Sequence, residues 1–251
     1  MMMFKSELYK LKKSKAFWVS ILIVVLFAFG LAFAFSENAS DVDATTEQLS
    51  MTAVDLMDFS YGIPALSIVA AIFTSIFVSS EFQYGTMKNY ISKGASRTSV
   101  FIVKLLVSYL AVTIIFIALN TTLYVLGSIL IGYSTIAIMD LMSMLFVTWL
   151  LFMAYTTLFV AVGFSARNSA SVISINICIV VLVPVLLTVI SFLLSSYGVT
   201  VTSLSLEGTI NAVMSVPLET NILFTGCITA ASYVILSVSG GLFHFKKVDV
   251  K

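Results

Sequence analysis

The sequence predicts an all-α membrane protein of six transmembrane helices with both termini in the cytoplasm, and three observations carry that expectation. Of its 251 residues 60% are hydrophobic and only 10% are charged, against roughly 25% charged in ordinary soluble domains. Stretches free of Asp, Glu, Lys and Arg recur six times, each long enough to cross a hydrocarbon core of about 30 Å at about 1.5 Å per residue. The charges are also sorted by side. With six spans, residues 1–15, 81–104, 165–170 and 244–251 face the same side and hold all 13 Lys and Arg, whereas nine of the 12 acids lie on the other. By the positive-inside rule the basic side is cytoplasmic.

The elements follow in order. Residues 3–15 set Phe4, Leu8 and Leu11 at helical spacing with Lys5, Lys12 and Lys13 toward the other side, which reads as an amphipathic interface helix on the inner leaflet. Trp18 follows at headgroup depth. The spans fall at about 16–36, 60–80, 105–131, 140–164, 171–194 and 220–243. Ala32-Phe33-Ala34 has the look of a signal-peptidase site but lies inside an apolar stretch longer than a signal peptide uses, so the first span is expected to be retained. The long fifth run could fold back at Pro184, but a seventh span would place Lys246, Lys247 and Lys251 outside.

Between spans two and three lies Glu81-Phe82-Gln83-Tyr84-Gly85-Thr86-Met87-Lys88-Asn89, followed by Ser92-Lys93-Gly94-Ala95-Ser96-Arg97. The segment reads as a short amphipathic helix flanked by glycines. Phe82, Tyr84, Met87, Tyr90 and Ile91 are more apolar surface than a connector needs, and aromatic anchors with a polar rim are the anatomy of a protein interface.

Glu-Phe-x-x-Gly-Thr-x-Lys-Asn, then Ser-x-Gly-x-Ser-Arg, directly after the second of six spans resembles the ABC-2 type permease subunits of ATP-driven exporters. The nearest likeness is to small Gram-positive peptide-exporter permeases of the staphylococcal phenol-soluble modulin type and those conferring immunity to peptide antibiotics. The resemblance implies that Glu81, Phe82, Gly85, Thr86, Lys88 and Asn89 form a coupling helix seated on a separate ABC ATP-binding subunit. It further implies a re-entrant helical element in about 195–219, between spans five and six, and a second permease copy in a homodimer or heterodimer. ATP-driven closure of the ATPase pair would rock the permeases from inward to outward access. The expected product is a multi-pass plasma-membrane exporter subunit for an amphipathic or hydrophobic cargo such as a toxin or antimicrobial peptide.

Other chemistry is thinly represented. No GxxxxGK[ST] phosphate loop or HExxH occurs, so the chain is expected to bind no cofactor itself, with ATP and Mg held by the partner. Nothing points to nucleic acid; the expected partners are the ATPase, a second permease and lipid. Cys178 and Cys227 stand alone in apolar runs and read as packing residues. Asn120 and Asn176 read as interhelical hydrogen-bond glue, and Asp140 as a cap on span four. The acids of loop 37–58, namely Glu37, Asp41, Asp43, Glu47, Asp55 and Asp58, read either as a cation-attracting vestibule or as passive enrichment; Glu207 and Glu219 join them outside. No charge falls at the centre of a span, which ranks an ion-coupled secondary transporter behind an ATP-driven one and leaves a non-transport membrane anchor as a further alternative.

Overall fold

Helix boundaries in the computed structural model follow the local chemistry. The residues described are 2–40, 52–86, 92, 94, 96–132, 136–166, 168–194, 201–215 and 220–247. Among them the chain forms nine α-helices and one 3-10 turn, with no strand. α1 (Met2–Lys13) carries Lys10, Lys12 and Lys13 in its last turn, where cations suit the helix dipole. It gives way at Ser14 to α2 (Lys15–Ser40). α3 (Ala53–Gly62) opens at Thr52, whose backbone N–H and hydroxyl both donate to Asp55, at 2.7 and 2.8 Å. Asp55 therefore caps a helix, while residues 41–51 of the acidic loop lie outside the described residues.

Pro64 has no N–H to continue the ladder and restricts Ile63 to extended geometry, so α3 ends and α4 (Ala65–Gln83) begins afresh. The second span, expected as one helix over 60–80, is thus entered by a separate short helix. α5 (Arg97–Leu130) is capped by the Ser96 hydroxyl, which accepts from the Ser99 N–H. It begins eight residues before the expected 105, so that Lys104 lies two turns inside it. α6 (Ile138–Ala166) starts with Asp140 in its first turn, and α7 (Ser169–Leu194) holds Pro184. The 3-10 turn Thr202–Leu204 and α8 (Leu206–Met214) precede α9 (Thr220–Lys247).

Six helical segments are long and apolar enough to span a membrane: Lys15–Ser36, Ala65–Gln83, Arg97–Leu130, Ile138–Ala166, Ser169–Leu194 and Asn221–Phe245. α4, α5 and α6 form the middle of the bundle. α2 packs on α5 and α4, α7 on α4 and α6, and α9 on α6, while α7 and α9 bury little of themselves. The start of α1, the end of α4, the start of α5 and the end of α9 meet at one end, called the near end below.

Lipid tails are as apolar as leucine, so contact within the bundle relies on close packing and interhelical hydrogen bonds. Asn120 accepts from the Tyr61 hydroxyl at 2.9 Å, and the Asn176 amide donates to Ser75 at 2.8 Å. Cys227 packs on the core, but Cys178 faces out of the chain and fills no core space. Gly163 lets α6 approach α4: a Cβ there would lie 2.7 Å from Val78 Cγ1. Gly163→Leu should therefore force the two helices apart and cost about 1–3 kcal/mol. Gly30→Ala, where a Cβ meets nothing within 4 Å, serves as the control. Thermal unfolding of the purified variants decides; equal melting of both would refute the contact.

Candidate functional site

Four charged side chains close into a square at the near end. Lys104 Nζ on α5 reaches Glu7 Oε2 on α1 at 2.8 Å and Glu81 Oε1 on α4 at 3.2 Å. Lys10 Nζ, one turn after Glu7, reaches Glu7 Oε1 and Glu81 Oε1, each at 2.8 Å. Each lysine thus bridges both glutamates, and the square is neutral. Glu7, Glu81 and Lys104 are buried; Lys10 keeps one side toward solvent. Lys104 also sits 3.8 Å above the centre of the Phe77 ring, the electron-rich face that favours a cation. Burying isolated charges costs several kcal/mol each, so such a group holds together only because every member is paired.

The square is wired directly to the 81–97 segment. The Thr86 hydroxyl contacts Glu81 Oε2 at 2.6 Å and the Glu81 carbonyl at 3.2 Å. Gly85 ends α4 in the left-handed conformation, φ 66°, that an L side chain disfavours. Phe82 turns back to meet Phe164 edge-on at 5.6 Å, within an aromatic group that includes Phe101 and Phe245. On the far side of the segment, Arg97 donates to the Phe245 carbonyl of α9 at 3.2 Å. Tyr84 alone among the described aromatics of this segment stands out, 81% exposed.

Of the residues singled out by resemblance, Glu81, Phe82, Gly85 and Thr86 therefore anchor the segment and end its helix, while Lys88 and Asn89 lie outside the described residues. Leu11 is buried, and Phe4 and Leu8 pack against the main core, so the apolar side of α1 rests on the bundle. Sequence reasoning missed Glu7, Lys10 and Lys104. The available signal was Lys104 itself, a lysine among Val100, Phe101, Leu105 and Val107 once the helix is extended back to Arg97.

A second buried charge lies deeper. Glu207, expected with the exposed outer acids, is 6% exposed in the first turn of α8. Its Oε2 accepts from the Ser67 hydroxyl at the start of α4, at 2.9 Å, and its carboxylate from Tyr155, near the middle of α6. α8 therefore buries an acid between the first turn of α4 and the middle of α6, a placement that no charge count along the spans can reveal. Burial pushes this carboxyl up to about 7, against the lowering effect of the Ser67 and Tyr155 hydrogen bonds. Tyr233 of α9 donates to the Leu204 carbonyl at 2.8 Å and pins the preceding turn.

Three cavities flank α6. The largest, about 700 Å³, is apolar and lies between α5, α6 and α9, with Phe4 of α1 at its edge. Two of about 300 and 330 Å³ follow the groove between α7 and α9 and share Val162. Among the described residues no group of three or more His, Cys, Asp or Glu could hold a metal ion.

No curated protein matches the chain closely. Residues 3–184 match the family described as ABC-2 family transporter protein. That stretch runs from the near-end helix carrying Glu7 through the 81–97 segment to Pro184 of the fifth span, and the chain belongs to the ABC-2 transporter family as a multi-pass membrane permease component that is not itself catalytic.

Proposed function

We propose that this chain is the transmembrane permease subunit of an ATP-driven exporter in the plasma membrane, moving an amphipathic or hydrophobic peptide, a toxin or an antimicrobial, by alternating access. A separate ABC ATP-binding subunit supplies ATP and Mg, and a second permease copy, identical or related, completes the pathway. The near end faces the cytoplasm, in keeping with the positive-inside rule applied to its 13 basic residues. α1 then lies along the inner leaflet as an interface helix. Residues 81–97, with Lys88 and Asn89, make the coupling contact in the manner of phenol-soluble modulin exporter permeases.

The observation that carries this reading is the charged square. A coupling segment that receives force must be fastened to the spans it moves, and Glu81 with Thr86 fastens this one to α1, α4 and α5 together. Ion-coupled secondary transport has one observation in its favour, the buried Glu207, and is the second reading.

Copurification separates them. The tagged chain is solubilised gently from its source cells, and copurifying proteins are identified by mass spectrometry for wild type, Tyr84→Ala and Gly85→Trp. An ATPase with a Walker motif, enriched with wild type and reduced at least five-fold by either change, is expected. No ATPase in any sample would reject the reading and favour the ion-coupled transporter or a membrane anchor.

A further inference from the structure

We propose that α8 is a proton-controlled latch, which holds to the bundle while Glu207 keeps its proton and loosens when the carboxyl gives it up. The latch does not depend on the transport reading, since it concerns only how this helix is held.

α8 is built as a separable piece. Ser205 and Ser215, the residues at its two ends, both have extended backbone, so the helix is not continued into either neighbouring element. A helix of nine residues is marginal on its own in water, and α8 therefore depends on what it packs against. Leu206, Ile210, Val213 and Met214 supply that packing, each at most 3% exposed, against α3, α6 and α9.

Glu207 is the one charged residue of α8, and it is buried with them. It is held by the hydroxyls of Ser67 on α4 and Tyr155 on α6, both neutral groups. Two such hydrogen bonds replace only part of the water that an ionised carboxylate holds. The charged form is therefore costly in the docked position, whereas the protonated acid is not. By linkage, whatever docking does to favour the proton, loss of the proton does to weaken docking. Burial raises the carboxyl to about 7, which brings the change into the ordinary range of pH.

Among the described residues the surrounding elements bring no cation to offset that charge. On α3, Asp55 caps its own helix and Tyr61 gives its hydroxyl to Asn120, while Asp58, raised by burial and by Asp55, is the rival titrating group. The one charge on α4 is Glu81, which belongs to the square at the other end. α6 adds Asp140 in its first turn, and α7 has no Asp, Glu, Lys, Arg or His. On α9, Tyr233 donates to the Leu204 carbonyl, Cys227 packs on the core, and His244 is exposed at the near end.

Hydrogen exchange read by mass spectrometry tests the latch, on the full chain in lipid nanodiscs at pH 5 and pH 8, with labelling times scaled to the intrinsic exchange rate at each pH. Wild-type peptides within residues 206–214 are expected to lose protection about ten-fold or more between pH 5 and pH 8, while peptides from the middle of α6, residues 147–160, keep theirs. Glu207→Gln, uncharged throughout, should leave α8 equally protected at both. Unchanged protection of wild-type α8 would overturn the proposal, and so would a loss shared in full by α6, which would mean that the whole bundle loosens. The wild type alone can return either of those results, whether or not the variant folds. A loss that persists in Glu207→Gln would assign the effect to another group, Asp58 foremost, and would overturn the proposal as well. The readout needs no ATPase and no cargo, so its failure is distinct from failure of the copurification.

Discussion

Lys104→Met should lower the melting temperature of the purified chain by about 10 °C. The lysine is buried between two carboxylates, Glu7 and Glu81, and its loss leaves both with only the partly exposed Lys10. Removing one partner of a buried ion group costs about 3–5 kcal/mol, because the surviving charge stays out of water. For a chain of this size each kcal/mol corresponds to about 2–4 °C. The double variant Glu7→Gln with Lys104→Met removes one negative and one positive charge and leaves Glu81 with Lys10, so it should recover more than half of the loss. A single variant melting within about 2 °C of wild type, or a double variant no better than the single, would show that the square does not hold the near end together.

Glu207→Gln should stabilise the chain at pH 8 and hardly at all at pH 5. Burial raises the folded carboxyl from its ordinary 4.5 to about 7. Below 4.5 both folded and unfolded chains hold the proton and the group is neutral in its effect. Between 4.5 and about 7 the folded chain keeps a proton that the unfolded chain has released, so stability falls as pH rises through that window. Above about 7 the full loss stands, about 3.5 kcal/mol at 1.4 kcal/mol per unit. Tyrosine hydroxyls do not ionise in this range, so Tyr155 and Tyr233 leave the window unchanged. Asp55 and Asp58 of α3, which also packs against α8, are common to both proteins and cancel in the difference. The measurement is melting temperature against pH for wild type and variant. Parallel curves from pH 5 to 8 would mean that Glu207 is already charged and solvated at pH 5.

The spans were legible because a helix in lipid must be apolar along its whole length, a property that survives without tertiary context. Interruptions were harder to see. Pro64 sits four residues inside the expected second span, yet a proline in a membrane helix can kink it, end it or pass unnoticed, and the sequence alone does not choose. Counting charges by side likewise treats each loop as lying wholly in water. That logic filed Glu207 with the outer acids, whereas the Ser205 hydroxyl accepts from Gly208 N–H and starts α8, whose first turn sets Glu207 against Ser67 of α4 and Tyr155 of α6. Lys104 was read as the edge of a span for the same reason, since its partners on α1 and α4 are distant in sequence: 97 residues to Glu7 and 23 to Glu81. The residues that fasten the 81–97 segment are spread over three helices, α1, α4 and α5, which no local motif can display.

α4 has a carboxylate contact at each end. Glu81 in its last turn belongs to the square, and Ser67 in its first turn holds Glu207. Between them runs an unbroken helix, in which Ser75 and Ser79 return their hydroxyls to the Ala71 and Ser75 carbonyls of the same helix. Such a helix behaves as a push-rod: it does not compress, and an axial shift that loosens one grip must draw on the other. The square and the Glu207 contact are therefore joined through one stiff element, and a displacement of α4 along its axis is felt at both.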